Sequence, residues 1–266
     1  MKESDFQLTV LGARGSMASD RPEQAAFGGD SSCYMLRAGE ETVFLDAGTG
    51  LLNAPASYPR DPVILLSHLH LDHLIGLGMF PGISNRNQRP RIYVPFCKTQ
   101  EEAESVMARV YAPPFWPLKL PDFESHPALL PLPESFAVGE LTVRAIPGSH
   151  PGGCFVFRLE YHGKSVVYAT DYEHEDASFE RLLAFAANAD LLLYDAQYDR
   201  KQYAACKGFG HSTAEMGQKL MEICKAKRLL LVHHAPSSTD EILLEREKAL
   251  TSAAASYARE GQVISL

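Results

Sequence analysis

The sequence has no surplus of positive charge, no long apolar run and no paired cysteines, and each absence removes a class of protein. Lys and Arg number 25 against 33 for Asp and Glu, a formal net charge of −8. That balance repels nucleic acid at long range and leaves no basic tail to bind it, so the default partner is a small molecule. No stretch approaches the roughly 20 apolar residues needed to cross a bilayer. The opening MKESDFQLTVL lacks the basic start and apolar run of a signal peptide and looks like a first strand. Cys33, Cys97, Cys154, Cys206 and Cys224 are scattered, odd in number and form no C-x-x-C pair. Each reads as a small apolar side chain, which fits a reducing cytoplasm better than a secreted form that has lost its leader.

What the chain does have is 45% hydrophobic and 22% charged residues, the balance of an ordinary globular protein. At 266 residues it is long enough for one large domain spanning 1–266. Short runs rich in Val, Ile and Leu predict strands at 6–12, 33–38, 42–46, 62–67, 91–95, 141–146, 154–161, 164–169, 190–195 and 228–233. The early ones are closely spaced, as in a meander, and the later ones alternate with helical stretches. Sheets covered by helices are therefore expected. Apolar spacing predicts helices over 99–111 and 240–259, the latter with Leu243, Leu250, Ala254 and Tyr257 on one face. Over 212–226, Ser212 and Glu215 match a capping box, which places a helix N-terminus immediately after His211. Residues 111–136 carry seven prolines and predict a surface loop or lid.

The informative stretch is VILLSHLHLDHLIGL. Val63 to Leu66 reads as a buried strand that delivers His68, His70, Asp72 and His73 within six residues. Alternate residues of an extended segment point the same way, so His68 and His70 can reach one ion while Asp72 and His73 face a second. Imidazole and carboxylate together suit zinc, and also manganese or iron. Further candidates stand just beyond other apolar runs: His150 after 141–146, Asp171 after VVYAT, and His233 after LLLV. Taken alone, each is a polar residue that ends a strand and meets water; their shared placement favours a common site.

The order H-x-H-x-D-H, then a lone His, an Asp and a His, resembles the metallo-β-lactamase superfamily. The resemblance implies an α/β fold, a four-layer αββα sandwich with a dinuclear metal site at one edge of its two sheets. It implies that His68, His70 and His150 bind one metal, that Asp72, His73 and His233 bind the other, and that Asp171 bridges them. LGARGSMAS, VFLDAGTG, YDAQY, GHSTAEMG and VHHAPS resemble segments of the ribonuclease Z and phosphodiesterase branch. By that likeness Asp46 supports the metal site, and Asp195 and His211 form a proton-donating pair. His234 beside His233 leaves the last ligand open between the two. Two departures stand out. No long glycine- and proline-rich arm for gripping transfer RNA is evident, which with the negative net charge argues against that substrate. Asp195 also stands where that branch has a glutamate.

Two divalent ions roughly 3.5–4 Å apart would activate water for attack on phosphorus or on a carbonyl carbon. His211, oriented by Asp195, would then protonate the leaving oxygen. The expected activity is hydrolysis of a small or cyclic nucleotide or a similar phosphodiester, an anionic substrate. An ester, thioester or lactam hydrolase is the alternative, because the metal ligands alone do not separate these reactions. A redox di-iron protein of the same fold ranks third, since His70 departs from that group's H-x-E-x-D. The sequence leaves open whether the chain works alone or as a homodimer.

Overall fold

The computed structural model describes residues 5–174 and 176–266; residues 1–4, the start of the segment read above for a leader, lie outside these. A first run of strands comprises β1 (Phe6–Gly12), β2 (Cys33–Ala38), β3 (Glu41–Leu45), β4 (Val63–Leu65), β5 (Arg91–Val94) and β6 (Ala128–Pro131). A second comprises β7 (Ser135–Val138), β8 (Leu141–Gly148), β9 (Cys154–Tyr161), β10 (Lys164–Ala169), β11 (Leu191–Asp195), β12 (Leu229–Val232) and β13 (Ala255–Tyr257). The last strand, β14 (Val263–Ser265), returns to the first sheet. The two sheets run β14-β1-β2-β3-β4-β5-β6 and β13-β12-β11-β10-β9-β8-β7. In each, a meander of antiparallel strands passes into parallel strands, β3 to β6 in one and β10 to β13 in the other.

Burial explains the architecture. Leu8, Leu36, Val43 and Leu65 of the first sheet meet Val143, Phe157, Leu159, Val166, Leu193 and Leu230 of the second in a shared core. The opposite faces are covered too. α1 (Gln100–Met107) packs Met107 with Phe44, Ile64 and Ile92 outside the first sheet. Outside the second, Leu182, Leu220 and Leu243 lie with Val167, Leu192 and Leu231. They belong to α2 (Asp176–Phe185), α4 (Ala214–Cys224) and α5 (Asp240–Lys248); α3 (Arg200–Cys206) precedes α4. Strands covered on both sides carry unbroken apolar runs, and β12, LLLV, is buried throughout. The layers are helix, sheet, sheet, helix, the expected sandwich.

Three local expectations are corrected. The helix predicted over 240–259 stops at Lys248, and Ala255–Tyr257 is instead strand β13, parallel to β12. Its apolar residues are buried by sheet pairing, where a two-residue period serves as well as a helical one. The stretch 111–136 is not a loop throughout: Ala128–Pro131 pairs with β5, and Ser135 opens β7. Tyr111 and Leu120 are buried outside the first sheet, with Trp116 packed beside them. The capping residue of α4 is Thr213, not Ser212; its hydroxyl accepts from Met216 N–H, so two residues separate His211 from the helix. Ser212 is engaged elsewhere, with its Oγ 3.0 Å from the hydroxyl of Tyr194. All five cysteines are unpaired.

Candidate metal centre

Six strands end at one edge of the sandwich, and the residue at or just past each end is polar. Asp46 follows β3, His68 to His73 follow β4, and His150 follows β8. Asp171 follows β10, Asp195 ends β11, and His233 follows β12. At three of these ends the backbone turns left-handed, with φ of 60° at Asp46, 49° at Asp171 and 62° at His233. Such conformations are uncommon for residues other than glycine, and here they swing the side chain off the strand line into a shared space. Two glycines clear that space. A Cβ at Gly15 would sit 2.1 Å from His233 Nδ1, and one at Gly210, whose φ is +89°, would sit 2.0 Å from His150 Nδ1. Neither position accepts a side chain.

Hydrogen bonds fix which ring nitrogen of His68, His73 and His150 faces inward. The buried Asp46 carboxylate accepts from Ser67 N–H (2.6 Å), Ser67 Oγ (2.7 Å), Tyr168 hydroxyl (2.7 Å) and His73 Nδ1 (2.8 Å). With its proton given to Asp46, Ser67 Oγ accepts from His68 Nδ1 at 3.0 Å. His150 Nδ1 donates to the carbonyl of Gly210 at 2.9 Å. Each bond protonates Nδ1 and leaves Nε2 with a lone pair pointed into the site. His68 Nε2 is buried there with no hydrogen-bond partner.

The inward-facing atoms fall into two groups. His68, His70 and His150 converge in one, with His70 Nδ1 3.2 Å from His150 Nε2. Asp72, His73 and His233 converge in the other: His73 Nε2 is 3.1 Å from Asp72 Oδ2 and 3.2 Å from His233 Nε2. Asp171 lies between. Its Oδ1 is 3.7 Å from His68 Nε2 and 3.8 Å from His150 Nε2, while Oδ2 is 3.1 Å from His73 Nε2 and 3.2 Å from His233 Nε2. His234 points away, donating Nε2 to the carbonyl of Ala258 at 2.8 Å and packing against Phe27 and Tyr257. Burial drives the His68 pKa well below the usual imidazole value, and neighbouring histidines add to the effect. For Asp171, burial works to raise the pKa, but His233, His73 and His68 outweigh it and hold the carboxyl well below the carboxylate range. An orphaned buried nitrogen, converging lone pairs and ionised carboxylates are the donor set that divalent transition metals require.

His211 and Asp195 meet beside the second group. Asp195 is fully buried; its Oδ2 accepts from His211 Nδ1 (2.9 Å) and Asp171 N–H (3.1 Å). Its Oδ1 accepts from Gln197 N–H (3.1 Å) and Ser212 N–H (2.9 Å). Burial alone would lower the His211 pKa, but the charge and hydrogen bond of Asp195 bring it up to about 8. His68, His73 and Asp171 also converge, across the first two groups, and Asp171, Asp195, His211 and His233 lie close enough to form a further donor group. A proton occupies its shortest contact and backbone N–H groups saturate Asp195, so these four serve poorly as an ion site.

Three further residues support the site. Ser67 and Tyr168 complete the shell of Asp46. Glu173, also buried, accepts from the N–H groups of Gly208 (2.8 Å) and Gly210 (3.0 Å) and the hydroxyl of Tyr203 (3.1 Å). Its own N–H donates to Ser149 at 2.8 Å, which ties together the loops of His150, Asp171 and His211. Only the position of Glu173, two residues past Asp171, could have drawn attention to it.

Residues 41–234 match the model of the Beta-lactamase superfamily domain. The chain belongs to that superfamily. It is 25% identical over 251 residues to a ribonuclease Z of Thermoplasma acidophilum, covering 75% of this chain and 79% of that protein. It is 22% identical over 266 residues to the probable metallo-hydrolase YhfI of Bacillus subtilis, covering 97% and 99%. The crystal structure of YhfI superposes with a TM-score of 0.75 at 20% identity over 99% of both chains. A diphosphatase from the PhnP family superposes with a TM-score of 0.71 at 20% identity over 98% of both.

Proposed function

We propose that this metal-dependent hydrolase cleaves a phosphodiester in a small anionic molecule, such as a small or cyclic nucleotide. Two divalent ions, zinc by preference, would be held by His68, His70 and His150 on one side and by Asp72, His73 and His233 on the other, with Asp171 between. Supporting this arrangement, the two oxygens of Asp171 divide between the two donor groups. When bound, the metals would supply Lewis acidity to the phosphoryl group and to the attacking water. The protein's part is to fix the donors and to move a proton. His211 is the group that carries the phosphodiester reading: held at 2.9 Å by Asp195, it can give a proton to a departing alkoxide, and the same pair marks the phosphodiesterase branch that the sequence resembles. The ribonuclease Z name among the relatives supports the same bond class, and the diphosphatase name supports hydrolysis at phosphorus more broadly. A net charge of −8 favours a small substrate over transfer RNA. Five unpaired cysteines support a cytoplasmic setting, and no helix among the described residues is long and apolar enough to cross a membrane.

Metal-analysed protein should be assayed against bis-p-nitrophenyl phosphate, cyclic nucleotides, precursor transfer RNA, a thioester and a β-lactam. Faster turnover of the small diesters is the expected result. Preferential turnover of the thioester or lactam would overturn the bond class, and preferential cleavage of the RNA would overturn the substrate size.

A further inference from the structure

We propose that four exposed apolar side chains around the mouth of the site, Met17, Leu71, Phe96 and Phe209, form a platform for a planar apolar substituent on the substrate. The inference rests on the phosphodiester reading above and specifies what the second ester group should be. The four residues are 66%, 57%, 54% and 62% exposed and come from four separate loops. Single exposed apolar side chains are ordinary on any surface. Each of these four stands in a loop that is tied to the donor groups.

Met17 follows Ser16, whose N–H donates to Asp72 Oδ2 at 2.8 Å. Leu71 stands between His70 and Asp72. The Phe96 ring lies on Gly153, where a Cβ would meet it at 2.9 Å, and packs 5.3 Å from the ring of Phe155. Gly153 N–H in turn donates to the carbonyl of His150 at 2.8 Å. Phe209 sits between Gly208 and Gly210, both fixed by Glu173, and the carbonyl of Gly210 accepts from His150 Nδ1. Phe96 also holds a left-handed backbone, φ 61°, a conformation that an aromatic residue rarely adopts without compensation.

Charge points the same way. The loops 67–76 and 148–153, which carry five of the donor residues, contain no Lys or Arg. Arg14, in the loop of Met17, is buried and spent on the carbonyls of Gly28, Ala235 and Ser238. Lys98 and Lys207 stand two residues from Phe96 and Phe209, as isolated single charges. Such a rim suits one phosphate carrying an aromatic ring, a nucleobase or an aryl group, better than a run of phosphates.

Methyl p-nitrophenyl phosphate and phenyl p-nitrophenyl phosphate share a leaving group, so the ratio of their kcat/KM values isolates the second substituent. The native protein should favour the phenyl ester roughly tenfold, chiefly through KM. Phe209→Ser and Phe96→Ser should each lower that ratio roughly threefold, and the pair should bring it near one. Melting curves check that the variants remain folded. A native ratio at or below one would overturn the proposal, as would a ratio that neither substitution moves. Altered sedimentation with an unaltered ratio would also overturn it, making the rim a contact between copies. If neither ester turns over with metal bound, the phosphodiester reading itself fails.

Discussion

Replacing His211 by alanine tests the proposed proton donor directly. Its Nδ1 is fixed 2.9 Å from Asp195 Oδ2, its Nε2 is left free, and its ring stacks 4.8 Å from that of His233. A positioned general acid contributes about 10²–10⁴ in rate, which corresponds to about 2.7–5.4 kcal/mol of barrier. His211→Ala should therefore lower kcat by that factor for a diester with an alkoxide leaving group, with metal content unchanged. For a p-nitrophenyl ester the loss should be much smaller, because that oxygen departs with little help. Asp195→Asn should act in the same direction but less, and the double variant should be no slower than His211→Ala alone, since both residues serve one proton. The assay is steady-state turnover of paired substrates alongside elemental analysis. Equal losses for good and poor leaving groups would refute proton donation and leave His211 as a substrate-positioning group. A fall in metal content would show that it is a ligand.

Protein purified without chelator should carry about two transition-metal ions per chain, and His68→Ala should lower both that number and turnover; a reading near zero that added zinc or manganese does not raise would refute the dinuclear assignment. Asp171→Ala should reduce metal content and turnover more than any change to Asp46 or Tyr168, because neither oxygen between the donor groups is replaced; full occupancy with normal rates would remove it from the bridging role. Asp46→Asn weakens the acceptor for His73 Nδ1 and should reduce metal affinity about 10–100-fold in competition with a chelator, an outcome refuted by unchanged competition curves. Asp190 accepts from Ser165 N–H and Lys227 Nζ, and although burial opposes ionisation these partners hold its pKa below the ordinary carboxylate value. Its stabilisation is thus full above about pH 4 and fades as the pH falls through the lower folded pKa, so the native protein should out-melt Asp190→Asn at pH 7 and lose that margin in acid.

The sequence alone determined what local chemistry and period can encode. The strands at 33–38, 154–161 and 164–169 were legible to the residue, because Gly39, Gly153 and Gly163 bound their apolar runs. His68, His70, Asp72 and His73 were legible as a cluster because one strand end delivers all four. His150, Asp171 and His233 could be named from their places beyond apolar runs, and only the family resemblance assigned them to one site with the cluster. Only the order of strands in two sheets sets those ends at one edge, since pairings such as β11 with β12 join residues far apart in the chain. The tertiary structure also shows that His233, and not His234, faces the donor groups. Neighbours on a strand end face opposite ways, and which one faces the site depends on a left-handed turn fixed by contacts with Gly15 and Ala13. Likewise Ser212 fits a capping sequence as well as Thr213 does, and it is the distant Tyr194 hydroxyl and Asp195 carboxylate that claim it. Residues 250–257 show the limit most clearly: their apolar spacing suits either a helix or a strand, and the open edge of β12 made it a strand.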